Sequence, residues 1–354
     1  MRTLTRHSSL VTSLLIVFAI YLYTLCPTVS VGDSGEFITS ASTLGLVHPP
    51  AYPLYSLLGK IFISLIPFGN IAYRINLMST FFAILILFLI YKLVPCPYSL
   101  IPILILAFSR IFWLQALVSE VFTFNAFFAV LLTYVCTLHL PPSTFHQSLY
   151  LFSFLFGLGL GNHHTLVLTL PGFLYLWWRA LSEEPRGKSA FTSHFTRYTL
   201  HALFFFFLGF SVYLYLPIRS INNPPLDWGN PETLKAFYRV VTRADYGSLR
   251  LMLETGEKSL TFFEQIERFF LGLKENYTLF GLLLSFFSFL LLAYKERHRF
   301  IFLLLLFVFS GPFFILLSNL PDSAEAWGVI ERFYILPLVV LTVILSYGLT
   351  YLEE

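Results

Sequence analysis

Long apolar stretches separated by short polar breaks run along nearly the whole chain. A bilayer core about 30 Å thick needs ~20 mostly apolar residues, each rising 1.5 Å along a helix. By that measure the pattern predicts spans at 10–25, 72–94, 99–116, 120–139, 148–162, 165–181, 200–217, 278–294, 300–318 and 334–352. That makes about ten. The stretch 148–181 is open between two helices and one kinked helix, because Gly157, Gly159, Gly161, Asn162, His163 and His164 interrupt it. Arg2 and Arg6 precede the first run as in a signal peptide, but no small-residue cleavage site follows, so it reads as a retained helix.

Two segments between spans are longer and mixed in character, 27–71 and 218–277. Within the first, 52–66 is short for a span and carries Lys60, which predicts an interfacial or re-entrant helix. Within the second, Leu234, Phe237, Tyr238 and Val241 recur at helical spacing. Leu260, Phe263, Ile266, Phe270 and Leu273 do so again over 258–274. Both patterns read as amphipathic helices lying flat at the interface. No internal repeat is evident, which speaks against transporters built from duplicated halves. The fold class is an all-α integral membrane bundle, a single domain over 1–354.

Composition agrees with this reading. Hydrophobic residues are 57% and charged residues 12% of the 354 positions, against roughly 25% charged in a soluble domain. The mean hydropathy is +0.76. The 41 Phe and 20 Tyr suit lipid contact and the headgroup belt. A net charge of +3 is too small to argue for nucleic acid. Cys26, Cys96 and Cys136 lack metal-binding spacing, and the predicted topology puts Cys26 on the opposite side from the other two, so no disulfide is expected. With a cytoplasmic N-terminus, Lys92, Arg179, Arg186, Lys188, Arg197, Lys295, Arg297 and Arg299 gather in the inner loops, as the positive-inside rule requires.

That orientation puts the polar motifs on the non-cytoplasmic side. In Gly32-Asp33-Ser34-Gly35-Glu36 two carboxylates share one face if the segment is helical. Each could serve as a general base tuned by partial desolvation. The same spacing fits a capping box that merely starts a helix. His48-Pro49-Pro50-Ala51-Tyr52-Pro53 is a stiff strap, either a plain connector or a shaper of substrate. Arg74 could snorkel, and Glu120 could serve the dipole of the helix it precedes. Asn125, one turn further in, needs a partner. Gly161-Asn162-His163-His164 ends another span, and adjacent histidines point apart on a helix, so a shared metal is not expected. Arg219 and Arg332 add guanidinium groups suited to phosphate. Asn276-Tyr277-Thr278 fits the glycosylation pattern but abuts a span.

Taken in order, these motifs resemble one family. Gly32 to Glu36, His48 to Pro53, Asn70 to Asn76, Ser119-Glu120-Val121, Gly161-Asn162-His163, and Tyr215 to Arg219 through Asn223-Pro224-Pro225 to Trp228-Gly229 recur together. They look like the widespread bacterial multi-pass proteins long filed as a domain of unknown function. A eukaryotic relative of that family is an O-mannosyltransferase acting on receptor IPT domains. The resemblance covers nearly the whole chain and implies a GT-C glycosyltransferase. Such an enzyme would take a sugar, here mannose, from a polyprenyl or dolichyl phosphate and pass it to a protein or glycan acceptor. It also implies Asp33 as catalytic carboxylate with Glu36 as rival or partner. His48, Tyr52, Arg74, Glu120, Asn125, Asn162, His163, Arg219 and Arg332 would then bind substrate, with no metal and no cofactor. The expected membrane is the bacterial inner membrane, or the endoplasmic reticulum in a eukaryote. Ala51 departs from the glycine expected of the family. Eukaryotic relatives continue into a long C-terminal region, which leaves the acceptor open. A transporter or flippase using the polar cluster as a pathway, and an inactive scaffold, are the competing classes.

Overall fold

The computed structural model describes residues 2–138, 145–183, 188–247, 260–318 and 323–351. Among them every regular element is helical, apart from one isolated parallel bridge between Leu46 and Asp227. The first helix, α1, runs Arg2–Thr24, followed by two short helices, α2 (Ser34–Thr43) and α3 (Pro53–Leu65). Next come α4 (Ile71–Leu93), α5 (Leu100–Ala107), α6 (Arg110–Ala116), α7 (Phe122–Leu138), α8 (Phe145–Leu160) and α9 (Leu170–Glu183). The second half holds α10 (Lys188–Phe210), α11 (Tyr215–Ser220), α12 (Leu234–Val241), α13 (Phe262–Lys295) and α14 (Arg297–Val308). It closes with α15 (Phe314–Ser318), α16 (Ala324–Ile330) and α17 (Ile335–Thr350).

Among the described residues, five helical stretches are long and apolar enough to cross a bilayer: Ile71–Leu93, Thr196–Ser220, Phe262–Lys295, Arg297–Ser318 and Glu325–Thr350. Ser8–Thr24, Pro53–Leu65 and Phe122–Thr137 are shorter apolar helices. α17 is apolar all round and buried along most of its length, so it forms the centre of the bundle. Phe204 and Phe207 on α10, and Phe280, Leu283 and Phe286 on α13, are exposed. A water-facing surface would not tolerate such patches, whereas lipid does. α8 and α10 approach closely because a β-carbon on Gly157 or Gly209 would collide with backbone of the other helix. Small residues let membrane helices pack in this way.

Three predicted elements differ in detail. The span expected over 99–116 is two helices, α5 and α6, broken at Phe108 and Ser109, where Ser109 Oγ donates to Leu106 O at 2.8 Å. The run 300–318 passes through a π-helical turn over Phe309–Phe313 that contains Pro312, a residue with no amide hydrogen to continue the ladder. The break predicted within 148–181 resolves into α8, a 3₁₀ turn over His164–Thr169, and α9.

α13 joins two predicted elements. Thr261 starts it with a capping box to Glu264. Thr278 then takes φ 59, ψ 163, and its Oγ accepts from Gly281 N at 3.3 Å, so a fresh helix starts there. The amphipathic pattern over 258–274 and the span over 278–294 are thus two helices meeting at Thr278, although Lys258 lies outside the described residues. Asn276, the residue of the glycosylation pattern, is buried. Its Oδ1 accepts from Ile111 N at 2.9 Å and its Nδ2 donates to Gly272 O at 2.8 Å. It is therefore a strut between α13 and α6.

One end of the bundle is tied together by backbone carbonyls and polar side chains. Asn76 Nδ2 on α4 donates to Cys26 O at 2.7 Å and Thr28 O at 3.0 Å, while Ser119 Oγ donates to Asn76 Oδ1 at 2.5 Å. Asn70 caps α4 through Tyr73 N at 2.8 Å and reaches Pro27 O at 2.9 Å. These bonds fix the chain leaving α1 against the chain entering α7. The three cysteines are thiols.

Candidate active site

Two short loops and two helix starts converge on a cavity of about 420 Å³ at this end of the bundle. Its wall includes Asp33, Glu36, His48, Tyr52, Glu120, His163, His164, Arg243, Tyr246 and Arg332, with Phe37, Phe122, Trp228 and Phe333 as aromatic faces.

Asp33 occupies the N-cap position of α2, yet its side chain makes no capping bond. Glu36 does not complete a capping box either. Its Oε1 accepts from His48 N at 2.6 Å and its Oε2 meets His48 Nδ1 at 2.6 Å. The helix-start reading of 33–36 therefore gives way to a different use of both carboxylates. His48 Nε2 lies 3.1 Å from Tyr52 Oη. With Nδ1–H donating to Glu36, Nε2 accepts from the tyrosine hydroxyl. This chain of bonds spends both Glu36 oxygens and locks the imidazole.

Arg332 comes from the 3₁₀ turn over Glu331–Tyr334 that leads into α17. Its Nη1 lies 3.0 Å from Glu120 Oε1 and 3.3 Å from Asp33 Oδ2. The Asp33 side chain is 46% exposed, whereas Glu120 is 3% exposed. Burial pushes the Glu120 carboxyl up to about 8, outweighing the opposing pull of Arg332. Near neutral pH, Glu120 mostly holds its proton and Arg332 balances Asp33. Arg110 Nη2, 2.8 Å from Glu331 Oε1, steadies the turn that carries Arg332.

His163 Nδ1 lies 2.7 Å from Thr165 Oγ1 and accepts from Thr165 N at 3.2 Å, which leaves the hydrogen on Nε2. Burial, helped by His164 and Arg243, holds its pKa well below the ordinary value. His163 is therefore a neutral donor, not a cation. Burial first and Arg243 second likewise lower His164, to about 4. Its Nε2 donates to Tyr213 Oη at 2.7 Å, since that hydroxyl already donates to Leu160 O at 2.9 Å.

The other residues singled out from sequence do not line the cavity. Arg219 Nε donates to Leu44 O at 2.8 Å and its Nη2 to Thr43 O at 3.2 Å, closing the C-terminal end of α2, where a cation is favoured. Arg74 does the same for α3, reaching Ile63 O at 2.9 Å and Phe68 O and Gly69 O at 3.1 Å each. Asn162 Nδ2 donates to Val121 O at 3.1 Å, and Asn125 Nδ2 to Thr165 Oγ1 at 3.0 Å. These four hold the frame that presents the others.

The segment around Arg219 also explains why two distant motifs travel together. Tyr215 Oη donates to Gly45 O at 3.0 Å, Leu46 N to Leu226 O at 2.7 Å, and Trp228 N to Leu46 O at 3.2 Å. Residues 215–228 thereby clamp the loop that carries Glu36 and His48. Arg243 and Tyr246 were not singled out from sequence, because an arginine trailing an amphipathic helix reads as a solvated charge. Only their fold position brings them to the cavity.

Asp33, Glu36 and His48 present ligand atoms within 4.8 Å of one another, close enough for a metal ion. Both Glu36 oxygens are already hydrogen-bonded to His48, and Arg332 supplies the positive charge that Asp33 faces. This donor set fits a metal poorly as it stands.

Fold and cavity together define an integral membrane helical protein with an acid–guanidinium site at one end of its bundle. The chain is related to the TMEM260 proteins. The model of the family described as Protein O-mannosyl-transferase TMEM260 N-terminal domain matches residues 33–97 and 92–185, which hold Asp33, Glu36, His48, Glu120 and His163. Protein O-mannosyl-transferase tmem260 of Dictyostelium discoideum is 30% identical over 93% of this chain and 43% of its own length. Protein O-mannosyl-transferase TMEM260 of Mus musculus is 31% identical over 94% of this chain and 48% of its own length. The chain thus spans less than half the length of both relatives. No solved structure matches it.

Proposed function

We propose that the protein is a membrane glycosyltransferase of GT-C type that moves a sugar, mannose, from a polyprenyl or dolichyl phosphate to a hydroxyl of a protein or envelope glycan. The observation that carries this reading is the division between the two carboxylates of one motif. Asp33 is half open to the cavity with a single guanidinium partner, while both oxygens of Glu36 are engaged by His48. Asp33 is therefore the base and Glu36 the residue that positions His48.

In the proposed step the acceptor oxygen attacks the anomeric carbon as its proton passes to Asp33. The bond from that carbon to the phosphate oxygen breaks on the opposite face, with inversion, and the lipid phosphate leaves as an anion. A phosphate leaves without a second acid, unlike the alkoxide of a glycoside. Arg332 keeps Asp33 placed and its charge balanced, and His163 donates a hydrogen bond as a neutral group.

All ten apolar segments cross the membrane in this proposal, with kinks and breaks making up for short helices. The cavity opens on the non-cytoplasmic side of the bacterial inner membrane, or the lumenal side of the endoplasmic reticulum. No resident metal or cofactor takes part, so a chelator leaves transfer unchanged.

The test is transfer of labelled mannose from dolichyl phosphate mannose by purified protein in bilayer discs. Asp33→Asn is expected to lower transfer about 10²–10⁴-fold with an unchanged melting temperature. Wild-type rates in that variant remove Asp33 from the chemistry. Lipid flipping without transfer supports transport instead.

A further inference from the structure

The charged side chains lining the cavity do not all meet a partner of opposite sign. Arg332 is shared by Asp33 and Glu120, and Glu36 is held by His48. The remaining guanidinium is Arg243, and among the described residues no carboxylate pairs with it. Its Nε is enclosed and has no hydrogen-bond acceptor. The group lies over the Tyr246 ring, 5.6 Å from the centroid, and that ring lines the cavity too. An enclosed N–H donor without an acceptor is costly, and a guanidinium satisfies such donors best with planar anionic oxygens.

The backbone points the same way. Arg243 has φ 53, in the left-handed region that a residue with a β-carbon seldom enters. The turn is held by Arg243 N donating to Val240 O at 3.1 Å and Tyr246 N to Arg243 O at 2.9 Å. Strain of this kind clusters where a side chain is held for a task. α12, which ends just before this turn, leaves Leu234 and Tyr238 exposed at 84% and 66%. Together with the exposed Lys235 and Arg239 beside them, these apolar residues give α12 the mixed face that suits a membrane interface, a placement that would bring the guanidinium near lipid phosphates.

We propose that Arg243 is the anion anchor of the cavity, holding the phosphate of the lipid donor before transfer and of the lipid phosphate after it. This rests on the glycosyl-transfer reading and assigns its phosphate subsite to a residue outside the matched family region 33–185. No bond is made or broken at Arg243.

The test measures binding of dolichyl phosphate to the purified full chain by native mass spectrometry, with dolichol, inorganic phosphate and a nucleoside diphosphate as separate arms. Arg243→Asn tolerates the left-handed backbone, and Arg243→Met keeps the stem over Tyr246. Both are expected to weaken dolichyl phosphate binding about tenfold or more, equivalent to roughly 1.4 kcal/mol, with dolichol binding unchanged. Arg239→Gln, which removes an exposed arginine already paired with Asp245 at 2.6 Å, is the control expected to bind as wild type.

Undiminished dolichyl phosphate binding by either folded Arg243 variant overturns the proposal. So does equal loss of dolichol and dolichyl phosphate binding, or displacement of the lipid by inorganic phosphate or the nucleotide at matched concentration. Because the readout is binding, it is separable from the chemistry. An Asp33→Asn protein that still transferred mannose would defeat the base assignment and leave the anchor standing.

Discussion

Arg332 packs directly on the bare backbone of Gly32. A β-carbon at Gly32 would stand 2.6 Å from Arg332 Nη2 and 3.2 Å from its Cζ, and the residue has φ +79. Glycine thus suits this position for its backbone, and a β-carbon there would have to push the Arg332 guanidinium aside. The guanidinium that meets Asp33 and Glu120 is seated by the residue just before Asp33.

Gly32→Ala is therefore expected to lower both stability and transfer. A β-carbon in the left-handed region costs roughly 1–2 kcal/mol, and the collision displaces Arg332. Gly35→Ala is the matched control. Its β-carbon would meet only Val29 Cγ1 at 3.4 Å, an ordinary contact, and alanine favours the helix by about 0.5–1 kcal/mol. Melting curves and mannosyl transfer on both variants decide it. Equal behaviour would mean that Gly32 is not needed to seat Arg332.

How far the site was legible in the sequence depends on what a polar break can reveal. Asp33, Glu36, His48, Tyr52, Glu120, His163 and Arg332 all line the cavity. Each sits at a break between apolar runs, where charge is expensive and stands out. Arg74 and Arg219 stand out for the same reason, but their charge is spent on the carbonyls that end α3 and α2. Sequence does not separate a cation that closes a helix from one that faces a ligand, because both occur just past an apolar run. Arg243 does not stand out in this way, because it follows a short amphipathic pattern in a mixed segment and not a long apolar run. The helical class followed from period and composition, whereas the pair Ser109-Arg110 that marks the split between α5 and α6 is too short an interruption to tell a broken helix from a span that carries one charge.

The two carboxylates of the first motif are expected to fail differently. Asp33→Asn removes the proposed base and should lower kcat with little change in KM. Glu36→Gln keeps one acceptor for His48 but loses the charge that fixes the imidazole, removing roughly 1.5–3 kcal/mol of charge-assisted bonding. Its expected signature is a lower melting temperature with a smaller loss of kcat, about tenfold. Steady-state kinetics on both variants test this. A deeper loss of kcat in Glu36→Gln than in Asp33→Asn would reverse the roles.

Ala51 stands at φ 71 in the strap, its N–H donating to His48 O at 2.9 Å. Glycine is the residue this backbone favours, which gives a physical reason for the family's expected glycine there. Two effects oppose each other on replacement. Relieving the left-handed β-carbon gains roughly 1–2 kcal/mol, and the freer unfolded chain loses about 0.4–1 kcal/mol. The first is larger, so Ala51→Gly is expected to raise the melting temperature slightly and preserve transfer. A clear fall in melting temperature would show that alanine's methyl packing outweighs its strain.

Glu120 gives a prediction in pH. Its carboxyl titrates at about 8 in the fold against 4.5 ordinarily, because burial outweighs Arg332. Between those values the folded protein binds more protons than the unfolded chain, so this group's contribution to stability falls as pH rises through the window. Glu120→Gln keeps an acceptor for Arg332 and removes the titration. The melting temperature of the variant, relative to wild type, is expected to climb steadily from about pH 5 to about pH 9. Above the Glu120 transition its carboxylate also competes with Asp33 for the Arg332 charge, so wild-type transfer should change there while the variant's does not. Thermal melts and transfer rates across that range measure both. A flat difference in melting temperature would mean that Glu120 is ionised throughout, and that Arg332 sits between two full negative charges.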